Sequence, residues 1–345
     1  MNKQIKLGSL KISNELPPVV VPEVGINHDG SIEKAFNLVD AAIDCGCKII
    51  KFQTHITEME MIETDMKPGN ISKTSLWDII KKAELTREEE FKLFNYCNSK
   101  GIEFLSTPFS REAADQLNNL GVNGFKIGSG ECNNLPLIDH ISKYKKPIIL
   151  STGMNDIKSI HKTVEIIKKH KTPLILLHCT SMYPTPPEKI RLGSISHLKN
   201  DFPDIPIGFS DHSIENFAAF ASVVLGVVLI EKHFTISKSW PGPDNFMSQE
   251  PKDLKLLVKG VNDVWLANKG KKQILDEEKP VIDFAYASVV LIDSVSKGEV
   301  LSEKNTWVKR PGNGEIKASS FFSIKGKKFT RDLKKDHQLK YSDIK

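Results

Sequence analysis

The chain has 345 residues, a formal net charge of +5, and ordinary apolar and charged fractions of 39% and 26%. This length suits one barrel of about 250 residues with a small additional module. No apolar run approaches the ~20 residues needed to cross a bilayer, and the N-terminus lacks the continuous apolar stretch of a secretory signal peptide. We therefore expect a cytoplasmic protein that does not engage a membrane.

The cysteines and the lysine clusters exclude two further classes. Five cysteines form no CxxC pair, and an odd number in a chain without an export signal argues against a disulfide framework. The main lysine cluster, residues 325–340, lacks the basic face with interleaved aromatics that nucleic-acid binding requires. We interpret it as solvated surface and expect no nucleic-acid partner.

Eight short apolar runs alternate with segments of helical periodicity. The runs are PVVVPEVG, KIIKFQ, IEFLSTPF, GFKIGSG, PIILSTG, PLILLHCTS, IPIGFSDH and VVLIEKHF. The segments in which apolar residues return every three or four positions include residues 31–45, 86–100, 159–170 and 214–226. Thr86 followed by Glu89 also predicts a capping box at the start of one helix.

This alternation indicates an α/β fold with parallel strands, and eight such units are the number that closes a (β/α)8 barrel, or TIM barrel. We predict this barrel over residues 1–270. A doubly wound open sheet is the alternative, but its GxGxxG turn is absent after the first run, where the sequence reads GINHDG. Residues 271–286 lose the alternation and are predicted to form a linker. Residues 287–345 carry turn signals between short apolar stretches, which predicts a small β-rich domain.

Polar and ionisable residues follow the end of every apolar run, where the catalytic face of a barrel lies. In chain order these residues are Glu23, Lys51, Gln53, Ser106, Thr107, Lys126, Ser129, Glu131, Ser151, His178, Tyr183, Ser210, Asp211, His212, Glu231 and His233. Each one alone could be a helix cap or a satisfied buried polar group. Their presence at all eight strand ends predicts a single site at the barrel mouth.

Two histidines in this set are candidate metal ligands. His212 ends the seventh run and His233 the eighth, and neighbouring strands are about 4.8 Å apart, so both imidazoles can reach one ion. Two imidazoles with carboxylates nearby suit manganese, cobalt or zinc. The structural alternative is that both rings are core histidines bonded to carbonyls. We assign no metal-binding role to His28, His55 or His178.

A second subset has the composition of a phosphate-binding site. Lys51 and Lys126 supply positive charge, while Ser129, Ser151 and Ser210 lie in or beside turns whose hydroxyl and N–H groups can bind phosphate oxygens. Either lysine could instead form a Schiff base with a carbonyl substrate. The residue types alone leave both possibilities open.

Ten motifs, in order along the chain, resemble one known family. They are EVGINHDG, KFQTH, STPFSREAA, FKIGSGECNN, ILSTGMN, LHCTSMYPTPPE, GFSDHS, EKHFT, PGPD and KRPGNGE. The chain is similar to bacterial sialic acid (N-acetylneuraminate) synthases from end to end. Its tail is similar to the antifreeze-like (SAF) domain of that family.

The resemblance implies condensation of phosphoenolpyruvate with N-acetylmannosamine and water, which gives N-acetylneuraminate and phosphate. A related 6-deoxy diacetamido hexose, as used by legionaminic or pseudaminic acid synthases, is the alternative substrate. PGPD favours the sialic or legionaminic branch, and its continuation DNFMSQEP departs from the commoner pattern. The resemblance also implies a divalent metal on His212 and His233, with Mn²⁺ expected and Co²⁺ or Mg²⁺ as alternatives.

The family pattern assigns further residues by motif. Glu131 and Gln53 are expected to act in catalysis together with the two histidines. The residues expected to bind phosphoenolpyruvate are Lys51, Lys126, Ser129, Ser151, Ser181 and Ser210, with asparagine commoner in the family at position 181. The residues expected to bind the sugar are Glu23, Asn70, Tyr183, Asp244, Phe284 and Arg310.

Two expectations concern assembly and the class of protein. The resemblance implies a domain-swapped homodimer in which each tail caps the partner's barrel, so that Arg310 acts in trans. The non-enzymatic alternative is an ice- or carbohydrate-binding protein with an inactive barrel. Such a protein would have little reason to keep both histidines, both lysines and Glu131.

Overall fold

The computed structural model describes residues 4–69 and 73–345, and it divides into two compact units, Met1–Lys269 and Gly270–Lys345. Within the described ranges, no helix has the length and apolar character needed to cross a membrane. The first unit is an α/β barrel preceded by a short hairpin. The second is a smaller unit with little regular structure.

The hairpin consists of two antiparallel strands, β1 (Ile5–Leu7) and β2 (Leu10–Ile12), with Leu7 paired to Leu10. Gly8, the first residue of its two-residue loop, has a φ of +57°. A type II′ loop requires this left-handed conformation at that position, and glycine adopts it without strain. This hairpin was not predicted from the sequence.

The barrel sheet contains eight parallel strands, each overlapping one of the eight predicted apolar runs; only β4 extends past its run, by one residue, Thr54. They are β3 (Val19–Gly25), β4 (Ile49–Thr54), β5 (Glu103–Pro108), β6 (Phe125–Ile127), β7 (Ile148–Ser151), β8 (Leu174–Cys179), β9 (Ile207–Asp211) and β10 (Leu229–His233). Their order is β5-β4-β3-β10-β9-β8-β7-β6, so the two end strands are consecutive in the chain. The sheet is therefore a nearly closed barrel, which confirms the predicted fold class.

Helices connect the barrel strands, and several of them pack against the outside of the sheet. They are α1 (Ile32–Asp44), α2 (Thr57–Glu60), α3 (Leu76–Ala83), α4 (Arg87–Lys100), α5 (Arg111–Leu120), α6 (Leu135–Ser142), α7 (Ile157–Lys169), α8 (Pro187–Ile190), α9 (Gly193–Asp201), α10 (Phe217–Val224) and α11 (Pro251–Ala267). The capping box at the start of α4 is confirmed: Thr86 Oγ1 accepts from the Glu89 N–H, and the Glu89 side chain accepts from the Thr86 N–H. This pair satisfies two backbone donors that the helix itself leaves free.

The barrel interior changes character along its axis. Val21, Ile49 and Leu229 belong to an apolar cluster that also includes Ile5 and Leu7 of the hairpin. Two residues further along each of these strands, the side chains on the same face are charged. The hairpin thus closes one end with apolar side chains, while the carboxyl ends of the strands present polar groups.

The second unit has its own core. Its regular elements are α12 (Lys279–Ala285), β11 (Ser288–Leu291), β12 (Thr306–Lys309) and α13 (Phe321–Ile324), with β11 and β12 antiparallel. Val289, Ile316 and Phe329 are fully buried in the core. The Asp343 carboxylate is also buried and accepts from Arg331 and His337. Residues 276–285, within the segment predicted as a linker, include one turn of 3-10 helix and α12.

Candidate active site

A cavity of about 570 Å³ opens at the carboxyl ends of the barrel strands. The residues that were predicted as site residues and line it are Glu23, Lys51, Gln53, Lys126, Ser129, Ser151, Ser181, Tyr183, Ser210, His212, His233 and Asp244. Side chains from strands far apart in sequence therefore meet in one place. This convergence follows from the parallel barrel, in which every strand ends at the same mouth.

Two lysines and two glutamates form a buried charged cluster at the base of the cavity. Lys51 Nζ lies 2.5 Å from Glu23 Oε2, an ion pair without hydrogen-bond geometry, and 3.7 Å from Glu231 Oε1. Lys126 Nζ lies 3.5 Å from the same Glu231 oxygen and donates to Ser151 Oγ at 2.8 Å. All four residues are at most 5% exposed. Opposite charges compensate one another here without contact with bulk water.

Burial and neighbouring charge shift the ionisation of this cluster in opposite directions. Desolvation raises the pKa of Glu23 to about 7, against the opposing effect of Lys51. Desolvation would also raise the pKa of Glu231, but the positive charges of Lys126 and Lys51 outweigh it and lower that pKa below its ordinary value. Desolvation lowers the pKa of Lys126. One carboxyl can therefore hold a proton near neutral pH while the other stays ionised.

The two predicted histidine ligands lie side by side, with ring centroids 5.5 Å apart. The Thr180 carbonyl accepts from His212 Nδ1 at 2.9 Å, which leaves Nε2 with its lone pair. His233 Nδ1 is buried without a hydrogen-bond partner, and burial holds the pKa of this ring well below its usual range. Burial lowers the pKa of His212, but the nearby Cys179 outweighs that effect and raises it above its ordinary value. A metal binds the neutral form of an imidazole through a free lone pair.

These two rings fit a shared divalent ion. A metal–imidazole nitrogen bond is about 2.1 Å, so rings at this separation can both direct a nitrogen at one ion. Among the described residues, no group of three or more histidine, cysteine, aspartate and glutamate side chains is arranged to hold a metal. Two protein ligands would leave most coordination positions open, as in catalytic rather than structural sites.

Tyr183 and Asp244 complete the wall beside the histidines. The Tyr183 ring lies 4.2 Å from the His212 ring, and Asp244 Oδ2 lies 3.8 Å from His233 Nδ1. Burial raises the pKa of Asp244 to about 6 and keeps the Tyr183 hydroxyl neutral by raising its pKa as well. Both side chains thus offer hydrogen bonds beside the histidine pair.

Four residues to which the family pattern assigns a role are not among the described residues that line this cavity, and neither are Ser106, His178 and Asp211 of the strand-end set. Glu131 ends the 3-10 turn that begins at Ser129, accepts from Asn134 Nδ2 at 2.6 Å, and is not among the described residues that line the cavity. Asn70 lies outside the described residues. Phe284 and Arg310 belong to the second unit. The roles assigned to these four residues stay predictions.

The structure adds lining residues to which the sequence analysis gave no role. Glu231 was recognised as a polar strand end but left unassigned, and it now bridges both lysines. Thr107, which accepts from Lys51 at 3.3 Å, was noted in the same way. Cys179 was missed, although it ends β8 as the other site residues end their strands. Position at a strand end was therefore the useful signal, more than residue type.

The fold and cavity define an α/β-barrel protein with a buried site of mixed charge. The NeuB family model matches residues 38–273. N,N'-diacetyllegionaminic acid synthase of Campylobacter jejuni serotype O:2 is 36% identical over 93% of this chain and 98% of its own length. Pseudaminic acid synthase of C. jejuni serotype O:23/36 is 33% identical over 94% of this chain and 96% of its own. The chain belongs to the NeuB family.

The solved structures agree with this family. The crystal structure of N-acetylneuraminic acid synthetase from Leptospira borgpetersenii matches with a TM-score of 0.73 and 32% identity, covering 82% of this chain and 96% of that one. These relatives are named for three different sugar acids. The comparisons therefore support a sugar-acid synthase in general and leave the substrate to be argued.

Proposed function

We propose that this protein condenses phosphoenolpyruvate with N-acetylmannosamine and water to form N-acetylneuraminate and phosphate. The observation that carries the proposal is the buried cluster of two lysines and two glutamates beside the His212–His233 pair. An anionic substrate and a carbonyl substrate would each find complementary groups in this cavity.

Phosphoenolpyruvate carries a phosphate and a carboxylate, and the lysine side of the cavity suits both anions. Lys51 and Lys126 supply two positive charges that are 3% exposed. The Ser129, Ser151 and Ser210 hydroxyls surround them. Because water is largely excluded, each charge–charge contact is stronger than it would be in bulk solvent.

The condensation forms a bond between C3 of phosphoenolpyruvate and the aldehyde carbon. The aldehyde oxygen takes up a proton, water adds at C2 and loses a proton, and phosphate leaves from C2. Glu23 can hold a proton near neutral pH, because burial raises its pKa to about 7, and would donate it to the aldehyde oxygen. The ionised Glu231 would stabilise positive charge at C2.

His212 and His233 would hold the divalent ion, for which we propose Mn²⁺. A bound ion there would polarise the aldehyde carbonyl as a Lewis acid. Tyr183 and Asp244 lie beside the two rings and would orient the hydroxyl groups of the sugar. The protein thus binds the two substrates on adjacent sides of one cavity.

A 6-deoxy diacetamido hexose is the second candidate for the sugar. The supporting observation is that a relative named as a legionaminic acid synthase is 36% identical, against 32% for the structure named as a sialic acid synthetase. The two sugars differ at positions remote from the aldehyde. The same lysines, glutamates and histidines would serve either reaction.

The test is phosphate release by the purified protein with Mn²⁺, phosphoenolpyruvate and a panel of aldehydes. The panel contains N-acetylmannosamine, the diacetamido hexoses and a simple hexose as control. We expect release with one amino sugar and none without an aldehyde. If none of the aldehydes in the panel gives phosphate release, the synthase proposal is refuted. A preference for a diacetamido hexose would select the second candidate.

A further inference from the structure

A chain of hydrogen bonds runs from the cavity wall into the protein beyond β4. Gln53 Nε2 donates to Glu23 Oε1 at 3.2 Å, and Gln53 Oε1 lies 3.0 Å from His55 Nε2. His55 Nδ1 in turn lies 2.9 Å from Glu60 Oε2. Glu23 and Gln53 line the cavity, whereas His55 and Glu60 are not among the described residues that do so. The last two residues thus contact the site through Gln53, and His55 also does so through the lining residue Phe109.

The surroundings hold the His55–Glu60 pair in place. The side chains of His55 and Glu60 are 3% and 4% exposed. The His55 ring stacks on Phe109, with centroids 4.6 Å apart and an interplanar angle of 13°. Burial of a histidine–carboxylate pair costs desolvation free energy, so a buried pair of this kind adds little stability by itself. Its contact with a cavity-lining amide points to a role in the site.

The two ring nitrogens of His55 face different partners. Nδ1 lies 2.9 Å from a Glu60 carboxylate oxygen, and Nε2 lies 3.0 Å from the amide oxygen of Gln53. The His55 ring thus connects the Glu60 carboxylate to the Gln53 amide. With its oxygen held in this way, the Gln53 amide directs its NH₂ group at Glu23.

The backbone around Glu23 is adapted to the same contact. The pairing of β3 with β4 shifts register between Glu23 and Gly25, and Gly25 has a φ of +53°. A Cβ at position 25 would lie 3.1 Å from Glu23 Oε1 and 3.3 Å from Gln53 Nε2. Glycine thus permits both the bulge and the close approach of the backbone to the Glu23–Gln53 hydrogen bond.

We propose that His55 and Glu60 are positioning residues for the condensation: the His55 ring, held by Glu60, fixes the Gln53 amide, whose NH₂ group holds the Glu23 carboxyl toward the aldehyde oxygen. This inference rests on the proposed function. In the proposed arrangement, neither His55 nor Glu60 touches substrate. Loss of either one frees the amide to turn, which leaves Glu23 Oε1 without its donor, so that the carboxyl is held by Lys51 alone.

The kinetic test compares His55→Gln and Glu60→Gln with His170→Gln as a matched control. His170 also pairs with a carboxylate, Asp139 at 2.8 Å, but that pair joins α6 to the end of α7 outside the barrel. We expect kcat to fall about 10- to 100-fold in the first two variants, the range caused by losing hydrogen-bond partners of site residues. KM for phosphoenolpyruvate should stay unchanged because both lysines remain. Wild-type kcat in either of the first two variants would overturn the proposal.

A spectroscopic measurement tests the same idea without turnover. The side-chain NH₂ signals of Gln53 should be protected from solvent exchange in the wild type and in His170→Gln, and should lose that protection in Glu60→Gln. Unprotected Gln53 signals in the wild type would overturn the proposal even in an active enzyme. Protected signals in a protein that releases no phosphate would refute the proposed function and leave the hydrogen-bond arrangement standing. If His55→Gln does not fold, Glu60→Gln alone decides the kinetic test.

Discussion

The barrel buries two groups of lysines and carboxylates, and the two groups differ in how completely their atoms are bonded. Lys232 Nζ donates to Asp211 Oδ2 at 2.7 Å and to the carbonyls of Ser213 and Glu215 at 2.6 and 3.0 Å. All three ammonium hydrogens have partners, and the group does not line the active-site cavity. This is a lysine used to hold the strand ends of the barrel together.

In the group that lines the cavity, fewer of the polar atoms have hydrogen-bond partners. One oxygen each of Glu23 and Glu231 has no hydrogen-bond partner, although both residues are buried beside Lys51 and Lys126. Glu231 and Lys232 are neighbours in sequence, yet they belong to different groups because successive side chains of a strand point to opposite faces. Buried charge therefore does not by itself identify the site. Buried charged groups that line a cavity and lack hydrogen-bond partners do identify it.

The largest effect is expected from His233→Ala. Loss of one of the two imidazoles should remove the bound metal and reduce phosphate release to background. Metal content measured on the purified variant should fall together with activity, while chelation of the wild type should abolish activity and added Mn²⁺ should restore it. Near-normal turnover in His233→Ala would show that the histidine pair is structural, like Lys232.

Lys126→Met should lower kcat/KM for phosphoenolpyruvate about 10²- to 10³-fold by removing one charge from the anion site. The double variant Lys126→Met/Glu231→Gln removes both charges of this ion pair. It should fold with a Tm close to that of the wild type and remain inactive. Recovery of activity in the double variant would mean that the lysine only balances Glu231.

Lys232→Met should have the smallest effect on catalysis and should destabilise the fold instead. The free energy of unfolding should fall by about 3–5 kcal/mol, because the Asp211 carboxylate stays buried without its partner. Adding Asp211→Asn should recover part of that loss in urea titrations, and kcat per folded molecule should match the wild type. A selective loss of kcat in the single variant would contradict the division into two groups.

Much of the fold was predictable because buried parallel strands and amphipathic helices leave strong periodic signals. A barrel strand overlaps each of the eight runs, and the Thr86–Glu89 capping box forms as expected. The N-terminal hairpin was missed because its strands have only three residues each. The alternation in IKLGSLKI, with Gly8 at the turn, is the signal that would have found it.

The candidate site was predictable only in part. The position of most cavity residues at strand ends predicted that they lie close together, because parallel strands end at one mouth. The His55–Glu60 pair could not be inferred, because the contact of a loop histidine with a short helix depends on how α2 packs. Glu231 likewise gained significance only when both lysines were placed beside it.

The sequence by itself determined the barrel, the polar rim of its strands and the histidines available for a metal, because periodicity and strand-end position are local properties of the chain. Only the tertiary structure decided which buried charges are fully bonded. It also decided which carboxyl holds a proton near neutral pH. Both depend on distances and desolvation between residues as far apart in the chain as Glu23 and Glu231.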